Sequence, residues 1–196
     1  MSSLPAFALF DTAIGTCAIA WGPRGVLGTQ LPERDVEGTR MHMRRRFAGA
    51  AESTPPLQVE RAISAITAIL HGERPDLSGI ALDTSGLEPF QRRVYDVART
   101  IPPGATMTYG SIAMQLGEPR AAQAVGVALA RNPFAIVVPC HRVLAAGGKL
   151  GGLSAAGGVA TKLRLLEIEG VVLQGQASPF DGLEHADAPE QPSLFD

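Results

Sequence analysis

An apolar run that ends on a proline, Ile136-Val137-Val138-Pro139, and is followed at once by Cys140-His141-Arg142 constrains this chain most. The run reads as a buried strand. Pro139 has no N–H to give to a ladder, so the strand ends there or lies at an edge. The cysteine then stands at a strand's end, where a side chain can meet a ligand, and nearby positive charge favours thiolate, the nucleophilic form. A lone cysteine in an apolar stretch is ordinarily a buried small hydrophobe. His141 and Arg142 change that reading, because two strongly polar side chains do not belong in a core. Adjacent residues of an extended chain point to opposite faces. Either the chain turns at Cys140, or a water joins the thiol to the imidazole.

A length of 196 residues suits one large domain or two small ones, with enough chain for a real core. No apolar run reaches membrane-spanning length, and no leader pattern opens the sequence. Cys17 and Cys140 make neither a disulfide framework nor a metal cluster, and a free nucleophilic thiol suits the cytoplasm. The net charge of −2 looks wrong for a nucleic-acid binder until it is divided. Residues 86–175 hold nine Lys/Arg against five Asp/Glu, a net +4; residues 1–85 hold eight against nine; residues 176–196 hold none against five. The middle portion is thus mildly basic, as a phosphate-contacting domain should be.

The fold class expected is α/β. A small N-terminal α/β domain with an antiparallel sheet (1–85) precedes a mostly helical domain (86–173) carrying a helix-turn-helix and the cysteine. Strands are expected at Phe7–Phe10, Thr16–Trp21 and Val26–Thr29, with turns at Asp11–Gly15 and Gly22–Gly25. Arg40 and Arg44-Arg45-Arg46 read as a solvated helix face rather than a phosphate patch. A helix should run from Pro56 to Leu70, closed by His71-Gly72. Residues 73–86 read as a linker with one short strand. Residues 87–100 have helical apolar spacing. Thr108 can cap a helix to Leu116, Gly117-Glu118 is the turn, and Pro119 suits the first position of a second helix, 119–130. That helix is rich in small residues, including Ala122, Ala124 and Gly126, which let a backbone approach another surface closely. Glycine pairs at 147–148, 151–152 and 157–158 mark a loop able to line a pocket, and a last helix, about 158–169, is capped by Gly170. The tail from Gln174 is acidic and poor in apolar residues, and reads as disordered.

The stretch Asn132-Pro133-Phe134-Ala135-Ile136-Val137-Val138-Pro139-Cys140-His141-Arg142-Val143 resembles the active-site signature of the O6-alkylguanine-DNA alkyltransferases, the methylated-DNA–protein-cysteine methyltransferases of direct DNA repair. The similarity runs, with gaps, from about Phe90 to Val172. It implies that Cys140 takes the alkyl group from O6-alkylguanine, and as an extension from O4-alkylthymine, after base flipping. His141 would be the general base through a water, Glu169 would orient it, Asn132 would brace the site and Tyr109 would donate toward the leaving base. Gly151, Leu153, Ser154 and Val143 would line the base pocket. Gln123, Arg120, Ala122, Ala124, Gly126 and Arg131 would meet double-stranded DNA, the second helix docking in the minor groove. Arg142 would pair for the fold's sake.

Two positions depart from the family's pattern. Gln123 stands where an arginine usually fills the gap left by the flipped base, and Leu153 stands where an aromatic often walls the pocket. Some members bind a structural zinc in the first domain, but this chain lacks the cysteines for it, so no metal and no cofactor are expected. The expected state is a monomer. The last residues, with Gln191, Leu194 and Phe195, resemble short peptides that dock on the bacterial sliding clamp. The rival reading is a damage sensor that binds alkylated DNA with little transfer. A thiol hydrolase is disfavoured, since His42, His71 and His185 lie in segments without catalytic context.

Overall fold

The computed structural model describes residues 4–151 and 157–172. Strands β1 (Ala6–Thr12), β2 (Gly15–Gly22) and β3 (Gly25–Gln30) form an antiparallel meander, and β4 (Ala51–Glu52) adds to β1 in parallel, giving the order β3-β2-β1-β4. β1 and β2 extend further than expected, with Thr12 opposite Gly15, so the first turn is tighter than Asp11–Gly15. Gly25 takes φ 125°, and any side chain there would strike the Ala81 carbonyl.

Alternate residues of the strands face opposite ways. Phe7, Ala18 and Ala20 pack with Met43 of α1 (Val36–Arg46). Cys17 and Ile19 join the main core with Val59, Ala62, Ile66 and Ile69 of α2 (Leu57–Leu70). α1 starts at Asp35, whose carboxylate accepts from Gly38 N–H at 2.7 Å. On its outer face Arg40 pairs with Glu37 and Glu52, as a solvated face should, but Arg46 turns inward. Within 73–86 the expected strand reduces to a single parallel bridge, Val26 to Leu82.

The second half is built from α3 (Pro89–Arg99), α4 (Tyr109–Gln115), α5 (Ala122–Ala130) and α6 (Gly158–Ile168), with the two-residue strands β5 (Met107–Thr108) and β6 (Val143–Leu144). Val94, Tyr95 and Ala98 bury the inner face of α3, and Tyr95 Oη donates to Ala128 O at 2.9 Å, tying α3 to α5. Thr108 caps α4 by accepting from Ser111 N–H at 3.0 Å. α4 closes on Gly117 at φ 76°, with Glu118 N–H donating to Ala113 O and Gly117 N–H to Met114 O. α5 begins later than expected. Pro119 occupies the second place of a tight turn in which Ala121 N–H donates to Glu118 O, and its fixed φ serves that turn instead of a helix start. The core that starts under β2 continues through α2, α3, α4 and α5 to Phe134, Val143 and Leu165. Among the described residues, no helix is long and apolar enough to cross a membrane.

Candidate active site

The strand expected over Ile136–Val138 is absent. Phe134, Ile136, Val137 and Val138 are buried as anticipated, but the chain doubles back on itself. Val138 N–H donates to Phe134 O at 2.8 Å, and Ile136 takes φ 72°, a conformation that a β-branched residue rarely adopts. Asn132 holds this turn from within. Its Oδ1 accepts from Phe134 N–H at 2.9 Å and its Nδ2 donates to Val138 O at 2.8 Å. An apolar run satisfied by such a side chain is as buried as a strand, which is why composition did not separate the two.

The chain then turns again. Cys140–Arg142 form a 3-10 turn, with Arg142 N–H donating to Pro139 O at 2.9 Å. His141 and Arg142 are therefore both buried, and both reach Glu169, the C-cap residue of α6. His141 Nε2 lies 2.8 Å from Glu169 Oε1. Arg142 forks onto the same carboxylate, Nε to Oε2 at 2.9 Å and Nη2 to Oε1 at 2.7 Å, while Nη1 donates to Ile101 O at 2.6 Å. Burial alone would raise the Glu169 carboxyl; the hydrogen bonds from His141 and Arg142 outweigh it and hold the group at about 2. Burial pushes the His141 imidazole below its ordinary value, against the pull of Glu169. At neutral pH the trio is a carboxylate, a guanidinium and a neutral imidazole.

Cys140 is partly exposed, yet its thiol sits among apolar neighbours, and burial pushes its pKa up. A hydrogen bond with Asn132, the charge of Lys162, and the backbone N–H groups at Cys140 and His141 oppose that rise. Lys162 was missed by the sequence reading. It is fully buried on α6, donates from Nζ to Val143 O at 2.6 Å, and stands 5.9 Å above the Tyr109 ring. Burial lowers its pKa to about 8, with the Cys140 thiolate acting the other way. A lysine that shares the 162, 165, 166, 169 stripe with two buried leucines was the available signal.

Tyr109 opens α4 directly after β5, and Cys140 lies just before β6. The parallel pairing of Met107 with Val143 and Thr108 with Leu144 thus brings the start of α4 alongside the end of the Cys140 turn. Tyr109 lies against Gly126 of α5 and Gly151, where an added methyl would come 3.3 Å from the hydroxyl oxygen. Arg120, Gln123, Ala124 and Arg131 are exposed on or beside α5, with Ala122 and Gly126 half-buried. Leu153, Ser154, His185, Gln191, Leu194 and Phe195 lie outside the described residues. A cavity of about 270 Å³ reaches Cys140, His141 and Asn132 on one wall and Gln30, His42 and Arg46 on the other. His42 pairs with Glu33 at 3.0 Å. Among the described residues, no three His, Cys, Asp or Glu side chains come together as an ion site.

Comparison with known proteins gives this arrangement a context. The family model for the 6-O-methylguanine DNA methyltransferase DNA-binding domain matches residues 89–171. A methylated-DNA–protein-cysteine methyltransferase of Methanothermobacter thermautotrophicus is 40% identical over 159 residues, 81% of either chain. A DNA base-flipping protein of Thermus thermophilus is 43% identical over 123 residues, 62% of this chain and 78% of that one. Among solved structures, Mycobacterium tuberculosis OGT in complex with DNA is similar with a TM-score of 0.68 and 34% identity, covering 84% of this chain and 92% of that one. The similarity spans the sheet as well as the helical half, and with it the chain belongs to the methylated-DNA–protein-cysteine methyltransferase family.

Proposed function

We propose that this methyltransferase repairs DNA by drawing an O6-alkylguanine out of the duplex and passing its alkyl group to Cys140 Sγ, with O4-alkylthymine a second substrate for the same chemistry. A side chain cannot reach the alkyl carbon inside the stack, and flipping costs a few kcal/mol, less at a damaged pair. The exposed face of α5, with Gln123, Ala124, Arg120 and Arg131, meets the DNA, and its small residues permit the close approach that minor-groove docking needs. His141, kept neutral by burial, accepts the thiol proton through a water, for which the 270 Å³ cavity has room. Glu169 stabilises the imidazolium that forms. The thiolate attacks the alkyl carbon; the S–C bond forms as the C–O bond breaks, and the electron pair goes to the base oxygen. Tyr109 donates toward the leaving base as it gains charge. One proton leaves the thiol and one arrives at the base. The thioether has no route back to a thiol, so each molecule acts once. Val143, Gly151, Leu153 and Ser154 line the base pocket in this reading. A tail contact with a sliding clamp through Gln191, Leu194 and Phe195, a monomeric state and a cytoplasmic address extend it.

The observation that carries the proposal is the buried His141–Glu169 pair, 2.8 Å apart, in the turn that Cys140 opens and Asn132 braces through Val138 O. The test is a mass spectrum of the tryptic peptide Asn132–Arg142 after incubation with an O6-methylguanine duplex. One methyl gained on Cys140 is the expected result. An unmodified peptide with intact DNA binding would instead favour the damage sensor that binds alkylated DNA with little transfer.

A further inference from the structure

Asn132 is not alone in holding the reactive turn; the amino-terminal half grips it from outside. Arg46, the last residue of α1, donates from Nη2 to Pro133 O at 3.0 Å and from Nη1 to Thr29 O at 3.1 Å. Thr29 N–H donates to the same Pro133 carbonyl at 2.9 Å, and Thr29 Oγ1 donates to Ala135 O at 2.8 Å. Three donors from β3 and α1 therefore fix the two carbonyls that flank Phe134, in the segment that Asn132 starts. Gly28 keeps the approach open. A Cβ there would lie 2.7 Å from Arg46 Nη2 and 3.0 Å from Pro133 O. Among the described residues Arg46 pairs with no carboxylate, and its burial lowers the guanidinium's pKa. A charge held among backbone carbonyls at the cost of its hydration is arranged for those carbonyls.

We infer that Arg46 and Thr29 are positioning residues for the alkyl-accepting thiol: by fixing Pro133 and Ala135 they fix the Asn132 amide, which donates to the same Val138 carbonyl that accepts from Cys140 N–H. The inference rests on Cys140 being the acceptor. It gives the amino-terminal sheet a part in the chemistry although none of its side chains touches the reacting atoms.

The test compares Arg46→Met, Arg46→Lys and Thr29→Val with Arg45→Met, an exposed neighbour on the same helix. Three quantities are read: methyl transfer from an O6-methylguanine duplex at saturating DNA, affinity for that duplex, and the pH midpoint of iodoacetamide labelling on the Asn132–Arg142 peptide without DNA. Arg46→Met should slow transfer about tenfold, the effect of one misplaced hydrogen bond, and raise the labelling midpoint. DNA affinity should hold. Thr29→Val should act in the same direction but less, Arg46→Lys should recover part of the rate, and Arg45→Met should change nothing. If Arg46→Met does not fold, Thr29→Val and Gly28→Ala decide. An unmoved midpoint in these variants, whether the rate is kept or falls only with the melting temperature, overturns the inference. A wild-type protein that labels with iodoacetamide but takes no methyl from DNA overturns the alkyl-transfer reading instead, and the midpoints still judge the positioning role.

Discussion

Two charges buried on one helix govern the residues at the centre of the site. Lys162 offers its ammonium near the thiol and the phenol, so Lys162→Met should make the thiolate harder to form. The expected outcome is a higher pH midpoint for Cys140 labelling and a transfer rate reduced by about tenfold or more at pH 7, read in a single-turnover assay. Glu169 works in the opposite sense. Glu169→Gln leaves the Arg142 guanidinium buried without its carboxylate, and should cost about 3 kcal/mol in urea unfolding. The wild-type pH dependence follows from the same groups. The unfolded carboxyl takes a proton near its ordinary 4.5 and the folded one only near 2, so its contribution, complete above 4.5, is lost as the pH falls toward 2. Burial of neutral His141 adds a loss that begins as the pH drops below 6.5, where the unfolded imidazole charges first. Urea midpoints measured from pH 7 to pH 3 should fall throughout, and Glu169→Gln should flatten the lower part of that curve.

At the scale of the element, α5 carries the prediction. Gln123 is exposed on the face of α5 that we propose meets DNA, and it brings no charge. Gln123→Arg should tighten duplex binding several-fold at low salt and steepen the salt dependence by about one counterion. Unchanged affinity and transfer rate would remove Gln123 from the DNA face. Elements were also the most legible level of the sequence. The meander, the Thr108 cap and the Gly170 stop are written in local residue choice, because turns and caps depend on neighbours three or four places away. The turn at 132–139 was not legible as a turn. Its backbone is satisfied by the Asn132 side chain, and burial alone looks the same for a strand. Pro119 was misplaced for a related reason, since a proline suits both a helix start and the second place of a turn. Contacts between distant residues were harder still. Glu169 was reached through resemblance; Lys162 and Arg46, whose partners lie far along the chain, were not picked out.

For the whole molecule, charge is divided against the core rather than along with it. The apolar core runs from β2 to α6 without a break, whereas the charge changes sign between the mildly basic 86–175 and the five acidic residues of 176–196. A chain ending at residue 175 carries net +3 in place of −2. It should bind undamaged duplex more tightly at low salt, with the difference vanishing as salt approaches about 0.5 M and screening shortens to a few Å. Titration by fluorescence anisotropy at several salt concentrations would check this. Methyl transfer at saturating DNA should not change, because the core that sets the site is untouched.

Lys162 and Glu169 stand seven residues apart, two helical turns and about 10 Å along α6. One points its charge at the carbonyl after the reactive turn, the other at the imidazole and guanidinium within it. The helix is therefore a ruler with two marks. A residue inserted or deleted between them turns one mark by about 100° relative to the other. A side-chain adjustment that restores one contact therefore loses the other, and the seven-residue spacing has no slack.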